Sequence, residues 1–556
     1  MARTWLAGWR PYALLTALCL ALYLPGMTAI PVLDRDEARF AQATRQMLET
    51  GDFIDIRFRN EERNRKPAGI YWLQAAAVRA LSTPESTAIW PYRLPSLIGA
   101  SLAVLLTFRL ARRLLLDDEA APGDSAARTA LTAAVFLATA LGVVVEAHIA
   151  KTDAALLAVI VAGQGALGLA YTGFRAGKPI GFGIAALFWV AEIVAILLKG
   201  PIGIGLAALT AATLSVADRD ARWLRGLRPI AGLIVTTLAI APWLFAIERA
   251  TEGRFLAASL GQDFLSKVFG AQESHGAPPF YYLVLSLVTF WPASLLLAPT
   301  LIHAWQRYEQ PLIRFLLAWI VPAWVCIELV PTKLPHYVLP LYPALALLAA
   351  TAFADGPVAE ARWMRWVERG VAVLWIAVSL TVAGGLIVLP LRFDEGMSLA
   401  GVAGAAVIVG LGALLLLRRP RGVGLGAAMA ALSLVFTIPA AIWVAPGLDR
   451  LWLSRGAAAM IARHPPTGAT PVVVLGYNEP SLVFLLGGRL AVGTMPSAAG
   501  LLEDGGEALV TGREDAQFSQ GLAARGLAAQ PIDSIRGTDY SNGQRMVMTL
   551  YRIVPK

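Results

Sequence analysis

Long apolar stretches separated by short polar breaks fill most of this chain. Thirteen of them, at about 11–30, 88–110, 127–146, 154–173, 180–198, 200–217, 228–247, 280–303, 312–330, 336–354, 367–390, 398–417 and 423–444, have the length needed to cross a bilayer as helices. Two breaks are very short, Lys199-Gly200-Pro201 and Pro331-Thr332-Lys333-Leu334-Pro335. Proline ends helices, so tight hairpins are expected there. After about residue 445 the pattern changes. Short apolar runs at 471–476, 482–486, 508–511 and 546–554 read as strands, with helical stretches around 452–463 and 515–528. The expected fold is a polytopic α-helical membrane domain, 1–445, followed by a small α/β domain, 446–556.

Composition agrees. The chain is 57% hydrophobic and 15% charged. Its mean hydropathy of +0.61 excludes an ordinary soluble protein. The two cysteines, Cys19 and Cys326, lie in apolar runs and imply neither a disulfide framework nor a cysteine metal site. The pI near 9.7 reflects basic loops rather than a nucleic-acid surface. No small-x-small pattern precedes Asp34, so the first segment is expected to remain as a span. Alternate loops, such as Arg112-Arg113, Arg219 to Arg228 and Arg418 to Arg421, carry the positive charge and are expected to be cytoplasmic with the N-terminus. Loops 31–87 and 248–279 and the tail then face outward.

Loop 31–87 runs against that rule. It holds Asp34, Asp36 and Glu37, then Arg59, Arg63, Arg65 and Lys66. Basic residues on the outward side suit an anionic ligand. Pro67 reads as the first residue of a helix over 67–81 with Ile70, Leu73, Ala77 and Leu81 on one face, lying at the interface. Asp153 opens an apolar run, either as a helix cap or as a second carboxylate at the depth of Asp36. Lys199, in its hairpin, either snorkels or clamps phosphate. In the fourth outward loop, 254–269 has the spacing of another interfacial helix, and His275 follows it. The segment 331–343 brings Lys333, His336, Tyr337 and Tyr342 together with several prolines. Irregular backbone at membrane depth persists where it is buried or lines a cavity.

Asp34-Arg35-Asp36-Glu37-Ala38-Arg39-Phe40, Lys66-Pro67 with Tyr71-Trp72, Lys199-Gly200-Pro201, and Lys333-Leu334-Pro335-His336-Tyr337 with Leu341-Tyr342-Pro343 resemble the motifs of the ArnT-type lipid A aminoarabinosyltransferases. These are GT-C membrane glycosyltransferases related to protein O-mannosyltransferases. The chain departs from that family at Arg65, where an acidic residue is common before the lysine-proline pair.

The resemblance implies transfer of 4-amino-4-deoxy-L-arabinose from an undecaprenyl phosphate carrier to a lipid A phosphate. The reaction would lie on the periplasmic face of a Gram-negative inner membrane and give polymyxin resistance. It implies Asp36 and Asp153 as catalytic carboxylates. Lys66 would hold the carrier phosphate, with Lys199, Lys333, His336 and Tyr337 around the cavity; the outward loops themselves add Arg59, Arg63 and Tyr342 as binding candidates and Asp34, Glu37 and His275 as further ones. The expected partners are the donor lipid, lipid A and membrane lipids. No cofactor is expected to be required, although Asp36, Glu37 and Asp153 are hard oxygen ligands that could take a divalent metal. Transfer of another polyprenyl-linked sugar to glycan or protein stays open, and a transporter or lipid flippase is the reading of a different class.

Overall fold

The structure is a computed structural model that describes residues 6, 8–63, 66–117, 123–257, 259, 278–354, 361–418, 420, 422–466, 471–495, 499–503 and 505–556. Among these, nine helices are long and apolar enough to cross a membrane, from Trp90–Leu116 to Val423–Val444. Asp124–Thr139 and Leu141–Ala147 form one further segment bent by 61°. The three remaining predicted spans depart from a full-length helix. Arg10–Tyr23 ends just before Pro25-Gly26, and Ile202–Asp218 is 17 residues long. The segment predicted at 280–303 is broken into Tyr281–Thr289, Ala293–Leu296 and Leu297–Gln306. Pro292 sits in that break and has no N–H for a helical bond.

The most enclosed span is Asp153–Arg175, with 94% of its apolar window inside the protein. Trp90–Leu116 crosses it closely. A Cβ at Gly99 would stand 2.5 Å from the Ala155 Cα, so only glycine permits this approach. The bend before Leu141 is satisfied by later parts of the chain. Ala140 has an extended ψ of 122°. The Leu141 N–H donates to the Trp291 carbonyl at 3.0 Å, and Ser433 Oγ donates to the Thr139 carbonyl at 3.0 Å. The freed backbone is thus paired inside the protein, as membrane depth requires.

The first loop folds into the helix Asp36–Thr50, a hairpin of Arg57–Phe58 with Glu61–Glu62, and the helix Gly69–Leu81. The face expected for this last helix is divided. Ile70 is buried with Tyr71, Gln74, Ala75 and Val78, whereas Leu73 and Leu81 are exposed on the other side. Of the helix expected at 254–269, residues 254–257 and 259 are described, with Arg254–Leu256 α-helical, and the rest and His275 lie outside the described residues.

The tail is a five-stranded sheet in the order Leu490–Gly493, Val472–Leu475, Gly506–Thr511, Gln544–Pro555, Leu527–Asp539. The first three strands are parallel and the last two join antiparallel. Apolar clusters cover both faces, one around Met460 and Leu550 and one around Phe518 and Val510. One expectation is corrected here: 482–486 lies in the helix Pro480–Leu486, not in a strand. Pro480 occupies its first turn, where proline favours a helix start, and a short apolar run fits either state. The helix expected to reach 528 ends at Ala523, and the last strand to be recognised starts at Leu527. That strand lies at the sheet edge and accommodates Pro531 at an irregularity in its register.

Candidate active site

The helix Asp36–Thr50 starts at a residue with unusual backbone. Arg35 has φ 62°, a conformation uncommon for a side chain other than glycine. It is held from the tail, where its guanidinium donates to the Ser541 carbonyl at 2.5 Å. Asp36 follows as the first helical residue and keeps exposed surface within a crowded surround. Burial works against its charge, but Lys66, Lys151, Arg63 and His336 outweigh it and hold the carboxyl below its ordinary value. Asp36 therefore stays ionised at neutral pH.

Lys66 and Arg63 both lie over one aromatic ring. The Lys66 Nζ is 5.4 Å and the Arg63 guanidinium 5.2 Å from the centroid of Phe40. Arg63 also donates to the Tyr71 hydroxyl at 3.2 Å.

Asp153 opens the enclosed span and meets three groups. Lys199 Nζ donates to its Oδ1 at 2.5 Å, His336 Nε2 stands 3.7 Å from Oδ1, and Lys151 Nζ stands 3.6 Å from Oδ2. Lys199 reaches it because its helix end is gripped by the first loop. At Gly69 a Cβ would come within 2.6 Å of the Leu197 carbonyl oxygen, so only glycine permits the backbones to approach this closely.

Lys151 ties the two carboxylates into one cluster. Its Nζ lies 2.9 Å from Glu146 Oε1 and 3.4 Å from His336 Nδ1, and it faces Asp36. Burial lowers its affinity for a proton, but Asp153, Glu146 and Asp36 reverse that and raise it overall. Lys151 and Glu146 were not among the residues expected at the site. The signal was present for both: a lysine two residues before Asp153, and an acidic residue at the end of an apolar run.

The remaining candidates divide. His336 belongs to the cluster, and the Tyr337 ring stands edge-on to it at 5.1 Å. Lys333 instead donates to Glu328 Oε2 at 2.9 Å and to the Pro278 carbonyl at 3.3 Å. Tyr342 is buried against Phe290 and bonded to Thr289. Arg59 is a hairpin residue whose backbone is clamped by the Gln46 amide from both sides, at 2.8 and 2.9 Å. Asp34 turns toward the tail. Its carboxylate accepts from the Ser481 N–H at 3.2 Å, and its own N–H donates to the Tyr540 hydroxyl at 2.5 Å.

Glu37 is fully committed elsewhere. Its two oxygens accept from Arg93 Nε and Nη2, both at 2.8 Å, and from the Ala150 and Leu33 N–H groups, also at 2.8 Å. Arg93 donates its other protons to the Met27, Ile30 and Pro31 carbonyls. Glu37 thus pins the first loop to the helix after it and has no lone pair left for a metal. Among the described residues no three His, Cys, Asp or Glu side chains converge to hold an ion. The metal set of Asp36, Glu37 and Asp153 does not fit this geometry.

No family model matches the chain. Over 321 residues it is 28% identical to the undecaprenyl phosphate-alpha-4-amino-4-deoxy-L-arabinose arabinosyl transferase of Pseudomonas paraeruginosa, covering 58% of this chain and 55% of that protein. The protein of the same description from Pectobacterium carotovorum is 26% identical over 403 residues, 70% of this chain and 68% of the relative. The chain spans about half the length of the Pseudomonas relatives it matches. In three dimensions it matches the crystal structure of ArnT from Cupriavidus metallidurans bound to undecaprenyl phosphate, with a TM-score of 0.71 over 98% of both chains at 19% identity. The fold is that of ArnT. The resemblance carried by the motifs is borne out, and the ArnT-like architecture includes the tail as well as the helical domain.

Proposed function

We propose that the chain transfers 4-amino-4-deoxy-L-arabinose from undecaprenyl phosphate to a lipid A phosphate. The observation that carries this reading is the convergence of Lys66, Arg63, Lys151 and Lys199 with Asp36 and Asp153 at one end of the helical domain. Its setting supports the donor side: the relatives are described as undecaprenyl phosphate-alpha-4-amino-4-deoxy-L-arabinose arabinosyl transferases, and the ArnT structure holds undecaprenyl phosphate.

The acceptor phosphate oxygen attacks the anomeric carbon of the donor sugar. The bond between that carbon and the carrier phosphate oxygen breaks, and undecaprenyl phosphate leaves with the electron pair. Its new negative charge falls to Lys66 and Arg63, whose cations strengthen their hold as the charge develops. The acceptor phosphate is already an anion, so Asp36 acts mainly in orienting the reactants. Asp153, held by Lys199 and His336, fixes the far wall of the cluster.

Orientation follows from the same reading. Counting the two short helices, the bent pair and the broken segment 281–306 as crossings gives thirteen. With an odd number of crossings and a cytoplasmic N-terminus, the tail is periplasmic in this reading and the cluster lies at the outer face of the inner membrane.

Lipid A mass spectrometry tests the reading, in a strain that makes the donor but lacks its own transferase. Wild type is expected to add the aminoarabinose mass, and Lys66→Ala and Asp36→Ala to abolish it at equal expression. Absence of the shift despite good expression and donor supply would overturn the assignment and turn the search to other polyprenyl-linked sugars.

A further inference from the structure

Glu146 is asymmetric in its surroundings. Oε1 holds Lys151 at 2.9 Å, while Oε2 is buried and has no hydrogen-bond partner. Each specific buried polar atom without a partner needs an explanation, an absent ligand among them. The neighbouring carboxylates are better supplied. Asp153 has Lys199, Lys151 and His336, and Asp36 faces Lys66, Lys151 and Arg63. Glu146 has one cation in contact, Lys151, and shares it with Asp153 and Asp36.

The proposed donor carries a matching charge pair. Its phosphodiester is an anion, and the amino group on its small ring is a cation at neutral pH. We propose that the donor opens the Glu146–Lys151 pair, with Lys151 turning to the donor phosphate and Glu146 taking the sugar ammonium. Glu146 is then the residue that selects an amino sugar over its hydroxyl counterpart. A neutral sugar offers a hydroxyl proton but no charge, so Lys151 could leave only by abandoning a buried carboxylate. This inference rests on the aminoarabinose reading.

Purified protein in liposomes is given lipid A and either of two synthetic undecaprenyl phosphate donors, one carrying 4-amino-4-deoxy-L-arabinose and one carrying L-arabinose. Wild type is expected to favour the amino donor by about 100-fold in kcat/KM. Glu146→Gln should reduce that ratio at least about tenfold, mainly through a higher KM for the amino donor. Glu146→Asp, which keeps the charge, should restore most of the preference at a lower rate. If the glutamine variant does not accumulate, Glu146→Met removes the charge by another route, and the same fall is expected. A wild-type preference that persists unchanged in the charge-free variant overturns this inference alone. A wild type that transfers neither sugar, or favours the neutral one, overturns the proposed function and this inference with it.

Discussion

Replacing Asp36 by asparagine removes a charge that Lys66, Lys151 and Arg63 surround. Turnover is expected to fall by about 100-fold or more, with little change in thermal unfolding in detergent. At Glu37 the same chemical change should act in reverse. Glu37→Gln leaves the buried Arg93 without its paired carboxylate, a loss of about 3–5 kcal/mol. It should appear as a lower inactivation temperature, with normal turnover in molecules that remain folded. The pH profile carries a further sign. Because its surround lowers the Asp36 carboxyl below the usual 3.8, that group stays charged through the mildly acidic range. Lys66→Gln removes the largest favourable charge, so the acid limb of kcat/KM should move to higher pH in that variant.

At the scale of elements, the contacts that aim the site are glycine contacts and a bend. Gly69→Val would force Leu197 away and carry Lys199 off Asp153. Overpacking of this kind costs about 1–3 kcal/mol. A turnover loss of at least about tenfold is expected, beyond what the lowered stability explains. Asp153 and Lys199 stood out in the sequence as charge at the ends of apolar runs, Asp36 and Lys66 as charge in an outward loop, and His336 in a proline-rich segment at membrane depth, and the structure brings these five together. Glu37 was ambiguous, since a buried Arg partner 56 residues away leaves no local trace. Glu146 carried the same run-end signal as Asp153, but a straight span over 127–146 gives no sign of the turn that aims it at Lys151. The spans themselves were legible by length, while the strands Leu490–Gly493 and Leu527–Asp539 were not. Their pairing is decided by neighbours in the sheet rather than by their own alternation.

Across the whole molecule, the tail grips the helix that presents Asp36. Arg45, buried in that helix, donates to the Phe484 and Ser86 carbonyls, each at 2.6 Å, and lies 4.4 Å over the Phe484 ring. Arg45→Lys keeps the charge but loses the forked geometry, and should lower turnover of the proposed transfer without changing its product. Beside this contact, burial and the carboxylates of Asp34 and Asp539 push Glu479 up to about 7. Its folded value exceeds the ordinary 4.5, so the native state holds the extra proton between those two values. Stability is therefore lost as pH rises through that window, and the penalty is complete above about 7. Glu479→Gln should raise the unfolding temperature at pH 8, and the gain should vanish toward pH 4.5.

The bend at Ala140 also bears on how such a chain is made. Leu141 enters the bilayer with an amide that will bond to the Trp291 carbonyl, and Thr139 with a carbonyl that will accept from Ser433. Both partners leave the ribosome long after this segment does. Until the spans that carry them arrive, a straight helix is the state that keeps both groups paired, so the bend is expected to form late, as the chain assembles.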